Sequence, residues 1–266
     1  MNDTANLLSE EISHAVQALD FERTYRTYWE QHECVFFEQF LPSAVVEHHL
    51  LPEVERLRAE VHRNYIPKHK QGGSVSSYTL AEKAPIVLDL YRSPAFIAFI
   101  SRLVGAMVMP CPDNDSHACA LYFYTEPGDH IGFHYDTSSY KGARYTILMG
   151  LVQHSTECRL IAQLYKADPT RQMQELRLVT PPGAMLIFNG NKLWHAITPL
   201  EEGAERIVLT MEYVTNPEMS PFHRVVSNMK DAIAYFGFSA VLRGALSRRP
   251  VKDTERVSRP PRPSRV

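Results

Sequence analysis

The second half of the chain alternates short apolar segments with turns, and this pattern limits the folds that it can adopt. The segments are rich in Tyr, Ile, Val and Leu, and Pro and Gly cluster between them, as in 126–129 and 180–183. Strands at this spacing are typical of sandwiches and barrels. We therefore predict a mainly β protein with flanking helices (α+β) and a double-stranded β-helix (jelly-roll, cupin-like) core. The predicted strands are 118–125, 145–152, 175–179, 184–189 and 206–214.

The first 110 residues have a different pattern, which predicts mostly helices. One segment stands apart: 68–77 is basic and contains Gly72-Gly73 and three serines, so we predict a mobile loop there. The predicted elements are helices over 3–19, 20–33 and 45–61 (the last with Ser43 as its N-cap), a short strand over 35–37, and a helix that Ser93-Pro94 opens and that continues to 104.

These patterns predict a single domain over 1–246, followed by a tail over 247–266. The domain would consist of a helical part (1–110), the jelly-roll core (111–215) and C-terminal helices (216–246). The tail is rich in Arg and Pro, so we predict that it is disordered and solvated. A weak contact of this tail with nucleic acid or a membrane is the less favoured alternative.

The composition excludes several classes of partner. A hydrophobic fraction of 44%, a charged fraction of 22% and a net charge of −2 are ordinary for a globular protein and give no reason to expect nucleic acid or an anionic membrane. No apolar run approaches the roughly 20 residues that span a bilayer, and the polar residues 1–11 predict no signal peptide. The oligomeric state cannot be predicted from these features.

Cysteine usage indicates a reducing, cytoplasmic environment. The four cysteines are scattered and lack the paired spacing of a metal site, so we expect free thiols. A metal cluster of Cys111, His117 and Cys119 is the less favoured alternative.

The residues that carry chemistry begin with His134-x-Asp136. On a strand, residues two apart point to the same face, so an imidazole and a carboxylate converge there. With His195, they form a set of two histidines and one carboxylate, the facial triad that holds non-haem Fe(II) and leaves coordination positions open. Arg206 offers a guanidinium fork for a carboxylate. The alternatives are a surface ion pair for His134 with Asp136, a core histidine for His195, and a structural salt bridge for Arg206.

The order of these motifs resembles the Fe(II)/2-oxoglutarate-dependent dioxygenase superfamily. The similarity covers about 113–214. Within it, the residue patterns at 113–119 and 134–142 most resemble those of bacterial enzymes that hydroxylate or halogenate free amino acids. The matching motifs are Tyr124-x-x-Pro127-Gly128, His134-x-Asp136, 144–148, 182–188, Trp194-His195 and Arg206-x-x-x-Thr210.

The resemblance implies an enzyme, a hydroxylase with Fe(II) and 2-oxoglutarate as cofactors and O2 as co-substrate. Its oxidant would remove hydrogen from an unactivated C–H bond and leave a hydroxyl group. His134, Asp136 and His195 would be both the metal ligands and the catalytic residues. Arg206 would bind the far carboxylate of 2-oxoglutarate, with Thr210 on the same strand. Tyr124 and Tyr122 either contact the cofactor or are core aromatics.

Asp136 bears on the type of reaction. In the halogenases that this chain resembles, a glycine replaces the carboxylate and a halide takes the vacated position. Since Asp136 is present here, we predict hydroxylation and not halogenation. Desaturation on the same iron site stays open.

Residues that could contact the substrate are harder to predict. Glu212 either recognises an amine or lies past the barrel edge in a salt bridge, and Gly72-Gly73 could act as a lid hinge. Arg144, with Arg63, Lys68 and Lys70, could bind a substrate carboxylate. Further candidates for the pocket are His117, Thr137 and Trp194.

We therefore expect a small-molecule substrate, a polar metabolite such as a free amino acid or a derivative. The alternatives are a peptide substrate and a cupin-like binding protein without iron. A metal-dependent isomerase is disfavoured by Arg206. An AlkB-like nucleic-acid demethylase is disfavoured because Glu212 stands where those enzymes have a second arginine.

Overall fold

The computed structural model describes residues 3–136 and 138–219. Its helices are α1 (Asp3–Ala18), α2 (Phe21–Glu30), α3 (Ser43–Val45), α4 (Leu51–Arg56), α5 (Ser77–Lys83), α6 (Pro85–Tyr91) and α7 (Pro94–Val104). A π-helical turn (Val46–Leu50) joins α3 to α4, and a 3-10 turn (Leu57–Glu60) follows α4. The strands are β1 (Cys34–Phe37), β2 (His62–Ile66), β3 (Lys70–Val75), β4 (Met109–Pro110), β5 (Cys119–Tyr124), β6 (His130–His134), β7 (Arg144–Gln153), β8 (Leu160–Leu164), β9 (Gln174–Leu178), β10 (Met185–Asn189), β11 (Trp194–Ile197) and β12 (Arg206–Val214).

The strands form one curled antiparallel sheet. Its order is β1-β10-β7-β12-β5-β3-β6-β11-β8-β9, with β2 on β3 and β4 on β12. The curl brings β6 and β11 opposite β7 and β10, since Asp136, just after β6, reaches Thr146 on β7, and His195 on β11 contacts Phe188 on β10. The predicted jelly-roll core with flanking helices is confirmed.

Strand β12 explains how this sheet is covered on both faces. Ile207, Leu209, Met211 and Tyr213 belong to the apolar cluster that includes the helices, and Val208 belongs to the cluster between the two halves of the curled sheet. Because strand side chains alternate between faces, the even-numbered residues of β12 face the interior of the barrel.

The predicted helix that follows Ser93 is confirmed. The Ser93 hydroxyl accepts a hydrogen bond from the backbone N–H of Phe96 at 3.4 Å, as an N-cap does. Five apolar residues of α7 are buried in the apolar cluster that includes β12: Phe96, Phe99, Ile100, Leu103 and Val104. By contrast, Ser43 is not an N-cap: Pro42 holds that position without a side-chain hydrogen bond, and Ser43 is the first helical residue.

The prediction of a mobile loop over 68–77 is wrong. Lys70–Val75 is a central strand: β2 pairs along one edge, and β5 and β6 pair with the two ends of the other edge. A Cβ on Gly73 would lie 2.4 Å from a methyl carbon of Val61, so this glycine allows close packing and is not a lid hinge. The short strand predicted over 35–37 is confirmed as β1, whereas strands β2 and β3 lie in segments that were expected to be helix and loop.

No single helix in the described ranges is long and apolar enough to cross a membrane, although a bent pair, Ser77–Lys83 with Pro85–Val104, passes that test by length and composition. The predicted C-terminal helices and tail fall on residues 220–266, which lie outside the described part, except for 216–219. The single-domain organisation stays a prediction.

The turn between β5 and β6 is fixed by a buried carboxylate. Asp129 has no exposed surface. It accepts two hydrogen bonds from the Arg63 guanidinium, both at 2.7 Å, and two from the backbone N–H groups of Thr125 and Glu126 at 2.9 and 3.1 Å. Burial by itself would raise the pKa of Asp129, but these hydrogen bonds lower it on balance.

Replacing Asp129 with Asn should lower the free energy of unfolding by about 1–3 kcal/mol at neutral pH, because a buried charged partner of Arg63 is lost. The folded-state pKa of Asp129 is lowered, so its contribution is present above about pH 4 and is lost as the pH falls through the folded value. Denaturant unfolding at several pH values should show that the difference in unfolding free energy between the wild type and Asp129→Asn becomes smaller at acidic pH.

The matched control is Glu126→Gln. Glu126 pairs with the same Arg63 at 2.9 Å but is 60% exposed, so this change should cost no more than about 0.5 kcal/mol. Equal losses for both variants would contradict the role given to Asp129.

Candidate active site

The structure brings the three predicted metal ligands together. One possible ligand atom from each of His134, Asp136 and His195 lies within 4.8 Å of the others. Nε2 of His134 is 3.3 Å from Oδ1 of Asp136, and Nε2 of His195 is 3.8 Å from Oδ2. Residues 134 and 195 face each other across the β6–β11 pair. Among the described residues, this is the only such group, so the alternative cluster of Cys111, His117 and Cys119 is not supported.

Backbone carbonyls orient both imidazoles. Nδ1 of His134 lies 2.9 Å from the carbonyl oxygen of Gly132, and Nδ1 of His195 lies 3.2 Å from that of Leu193. A neutral imidazole that donates from Nδ1 to a carbonyl presents the lone pair of Nε2 to the metal. The ring centroids of the two histidines are 4.3 Å apart.

The electrostatics favour the metal-binding protonation state of Asp136 and His195. Burial would raise the pKa of Asp136, but the neighbouring His195 and His134 hold it well below its usual range. Burial lowers the pKa of His195 to about 4 against the opposing charge of Asp136. For His134, burial lowers the pKa, but the hydrogen bond and charge of Asp136 outweigh it and raise the value. Asp136 is therefore ionised and His195 neutral at neutral pH, which is the form that binds metal.

The turn after β10 supports Asp136 from behind. A Cβ on Gly190 would lie 2.6 Å from the backbone oxygen of Asp136 and 2.9 Å from its Cβ. Real Cβ atoms do not approach so closely, so only glycine allows this turn to pack against the ligand.

Arg206 lies at one end of the interior face of β12. It is 1% exposed, its guanidinium carbon is 5.1 Å from the ring centre of Tyr124, and its Nη2 donates to the hydroxyl of Thr180 at 3.2 Å. Its Nη1 has no hydrogen-bond partner among the described residues, and none of their carboxylates pairs with it. A buried guanidinium with a free donor matches the far carboxylate of 2-oxoglutarate.

A cavity of about 300 Å³ opens beside the triad. Arg206 is not among the lining residues, but its cross-strand partner Tyr124 is. Glu212 lies six residues further along β12 than Arg206, or about 20 Å for an extended strand. The apolar part is lined by Tyr124, Ile131, Leu148, Phe188, Ile197 and Val208. The polar part is lined by Asp115, His117, Tyr122, Ser139, Tyr140, Arg144, Thr146, Thr210 and Glu212.

Glu212 and Arg144 form a buried pair in the polar part. Nε of Arg144 donates to Oε2 of Glu212 at 2.9 Å, and the two side chains are 15% and 6% exposed. The predicted salt bridge of Glu212 exists, but it lies inside the pocket and not past the barrel edge. Arg144 lies on β7, where Thr146 pairs with Glu212 and Arg144 with Val214, so the pair crosses the strands diagonally.

Other polar contacts shape the same end. The Tyr140 hydroxyl donates to Asp115 at 2.7 Å, and Nδ1 of His117 lies 3.1 Å from the Tyr122 hydroxyl. The Thr210 hydroxyl donates to the carbonyl oxygen of Ala120 at 3.2 Å.

Two sets of predicted substrate residues lie elsewhere. Trp194 does not line the cavity among the described residues; because it alternates with His195, it faces outward and stacks on Phe133 with ring centroids 6.0 Å apart. Arg63 is bound to Asp129, and Lys70 is a buried strand residue 4.7 Å from the Tyr122 ring centre, so neither forms a basic loop with Lys68. Thr137 lies outside the described residues.

Sequence reasoning missed Thr146 and Asp115 as individual site residues. Thr146 is a single hydroxyl within the apolar run of β7 and is 2% exposed, which is a readable signal for an interior polar contact. Asp115 lies in a loop between β4 and β5, and no local pattern places that loop over the barrel.

Comparisons with known proteins agree with this geometry. A model of the family described as halogenase D matches residues 18–147. No curated protein matches the chain in sequence. Among solved structures, the epimerase SnoN from nogalamycin biosynthesis, in complex with Fe³⁺, α-ketoglutarate and nogalamycin RO, has a TM-score of 0.60 at 15% identity and covers 73% of this chain and 83% of that chain.

Two further structures give the same result. The α-ketoglutarate-dependent carbocyclase SnoK has a TM-score of 0.61 at 13% identity, over 79% of this chain and 92% of that chain. A 2OG-Fe(II) oxygenase family protein from Burkholderia pseudomallei has a TM-score of 0.58 at 14% identity, over 77% and 95%. The chain has the fold of the Fe(II)/2-oxoglutarate oxygenases. The fold that the sequence resemblance implies is therefore confirmed.

The residues present fit both cofactors. Two imidazoles and one carboxylate are the donor set of a non-haem Fe(II) site. The unpartnered donor of Arg206 fits a carboxylate, and the apolar lining between it and the triad fits the methylene groups of 2-oxoglutarate.

Two substitutions should separate these roles. Asp136→Ala should abolish Fe(II) binding in an anaerobic titration, because the anionic ligand is lost. Arg206→Gln should keep Fe(II) bound but weaken 2-oxoglutarate binding by about 2–4 kcal/mol, roughly 30- to 1,000-fold, because a buried charge pair is lost. Unchanged 2-oxoglutarate affinity in the second variant would contradict the role of Arg206.

Proposed function

We propose that this protein is an Fe(II)/2-oxoglutarate-dependent hydroxylase of a small polar metabolite, most simply a free amino acid or a close derivative. The observation that carries the proposal is the placement of the triad in one cavity with a polar wall, next to a buried Arg206 that has an unpaired donor and whose cross-strand partner Tyr124 lines that cavity.

The chain's own residues account for where the metal, the cofactor and the substrate would bind. His134, Asp136 and His195 would hold Fe(II) and Arg206 would hold the far carboxylate of 2-oxoglutarate, with Tyr124 beside it. When bound, the metal and the cofactor supply an oxidant for C–H bonds. The apolar part of the cavity keeps water away from the cofactor, and the polar part is left for the substrate.

The charges of the polar part favour a substrate that carries an amine. Asp115 contributes a carboxylate there, and Arg144, whose Nε already donates to Glu212, contributes a cation. An ammonium group would pair with Asp115, because Glu212 is already bound to Arg144. The guanidinium of Arg144 lines the same wall and suits a substrate carboxylate. An amino acid has both groups.

The small volume of the cavity, about 300 Å³, also supports a small substrate over a folded protein. A peptide hydroxylase is the second candidate, because a prolyl hydroxylase from Trichoplax adhaerens in complex with a peptide fragment shares the fold, with a TM-score of 0.56.

Asp136 supports hydroxylation as the outcome. The halogenase D model spans this position, but the resemblance implies that halogenases have a glycine where this chain has a carboxylate. A carboxylate that contacts both histidines leaves no vacated position for a halide. Desaturation remains compatible with the same ligands.

We also propose a cytoplasmic location. All four cysteines are free and buried, and burial is the first cause that raises the thiol pKa of Cys34, Cys111, Cys119 and Cys158. Such thiols suit a reducing compartment.

The decisive assay is succinate formation by Fe(II)-loaded protein with 2-oxoglutarate, O2, and panels of free amino acids and capped peptides. Succinate that rises with one free amino acid, together with a product heavier by one oxygen atom, is the expected result. A product lighter by two hydrogen atoms would show a desaturase, and stimulation by peptides alone would favour the second candidate. An absence of bound iron and of turnover would contradict the enzyme.

Substrate recognition can be tested at Asp115. Asp115→Asn keeps an acceptor for Tyr140 but removes the charge. The kcat/KM for the amino acid should therefore fall roughly 10- to 150-fold, which corresponds to about 1.5–3 kcal/mol of lost transition-state stabilisation. The affinities for Fe(II) and 2-oxoglutarate should stay unchanged. The control is Asp113→Asn on the same loop, whose side chain is 90% exposed. Equal effects of both changes would exclude Asp115 as the amine partner.

A further inference from the structure

The carboxylate of Asp136 has a neighbour that the iron site alone does not explain. Oγ1 of Thr146 lies 2.9 Å from Oδ2 of Asp136. The same hydroxyl oxygen lies 2.9 Å from Oε2 of Glu212 and 3.2 Å from Oε1. One buried hydroxyl therefore lies between the partly exposed carboxylate of Asp136, which belongs to the metal-binding triad, and the buried carboxyl group of Glu212.

The number of protons at this point is limited. A threonine hydroxyl has a single hydrogen to donate. If both carboxyl groups were ionised, Thr146 could donate to only one of them, and the other contact would bring two acceptor oxygens together in a site shielded from water. Such an arrangement is costly, so one carboxyl group should carry a proton.

The proton is best placed on Glu212. Asp136 must be ionised to bind a metal, and its two imidazole neighbours favour that form. Glu212 has two distinct oxygens available: Oε2 accepts from Nε of Arg144 at 2.9 Å, and Oε1 can donate to Thr146 at 3.2 Å. The hydroxyl of Thr146 then donates to Oδ2 of Asp136, so the two contacts of this chain, Oε1 to Oγ1 and Oγ1 to Oδ2, each have one donor and one acceptor. Oε2, which also lies 2.9 Å from Oγ1, accepts from Arg144 instead.

The surroundings of Glu212 agree with this placement. Glu212 is 5% exposed and Thr146 2%. Burial raises the pKa of Glu212, Arg144 and the hydrogen bond of Thr146 oppose this shift, and the charge of Asp136 adds to it, so that the pKa is raised on balance to about 7.

We propose that Thr146 and Glu212 are positioning residues for the metal site, in which Glu212 donates to Thr146 and Thr146 donates to Asp136. The chain of two hydrogen bonds occupies Oδ2 and leaves Oδ1, which lies near His134, to face the metal. Gly190 packs against Asp136 from its backbone side, so the carboxylate is held from two directions. The inference rests on the proposed function, because it assigns these residues to the iron site.

The first test removes the hydroxyl group. Thr146→Val should weaken Fe(II) binding by about 10- to 100-fold, the usual effect of losing a hydrogen bond to a metal ligand. Thr146→Ser keeps the hydroxyl and should stay within about threefold of the wild-type affinity, while a thermal melt confirms that both variants are folded. The readout is an anaerobic Fe(II) titration, which needs no turnover. Equal affinities of the Val variant and the wild type would overturn the proposal.

The second test concerns the proton on Glu212. In Glu212→Gln, the amide nitrogen can donate to Thr146 while the amide oxygen accepts from Arg144, so the Fe(II) affinity should stay within about threefold of the wild type. Glu212→Met fills similar space but cannot donate, and it should lose about 10- to 100-fold in affinity. A Gln variant as weak as the Met variant would show that Glu212 acts through its negative charge, and would overturn the proposed chain of hydrogen bonds.

The wild-type titration separates this inference from the proposed function. A wild-type protein that binds no Fe(II) would overturn both. A wild-type protein that binds Fe(II), with the Thr146 and Glu212 variants unchanged, would overturn the inference alone.

Discussion

The carboxylate of Asp136 is the group on which the rest of the site depends. Burial opposes its charge, but the two histidines and Arg144 favour the ionised state, and the hydroxyl of Thr146 donates a hydrogen bond to it. These partners come from separate strands, β6, β11 and β7, which meet only because the sheet curls. The electrostatics of the site therefore depend on the curl of the sheet, because a flatter sheet would leave Asp136 without its partners.

Strand β12 then divides the cavity into two chemical environments. Its interior face carries Arg206, Val208, Thr210 and Glu212 in sequence, so one strand supplies a cation at one end and a carboxyl group at the other. Because its opposite face packs against the helices, β12 cannot shift by one residue without exposing apolar side chains and burying charges against the helices. The core fixes the register, and the register fixes the distance between the two ends.

Much of this arrangement could be predicted from the sequence. The strands that contain alternating or continuous apolar residues, such as β7, β10 and β12, were predicted to within one residue, and the triad follows from the two-residue period of a strand together with the ordered motifs. Strand β3 could not be predicted: its Lys, Gly and Ser residues have low strand propensity, and it is a strand only because β5 and β6 pair with it. The pairing of Arg144 with Glu212 depends on the β7–β12 register, which no local pattern encodes.

The residues that were hardest to predict share one property, which is that their function depends on contacts across strands. Trp194 lies next to a ligand in sequence yet faces outward, whereas Thr146 is ten residues from Asp136 and contacts it directly. Proximity in sequence is therefore a poor guide to the residues that contact the triad. The strand face on which a residue lies is a better guide. Glu212 lies on the interior face of its strand and has two contacts there. Its carboxyl group pairs with Arg144 in the polar wall of the cavity, and it also contacts Thr146, which is bound to Asp136. A substrate that binds at this wall would thus be in contact, through two hydrogen bonds, with the ligand that holds the iron.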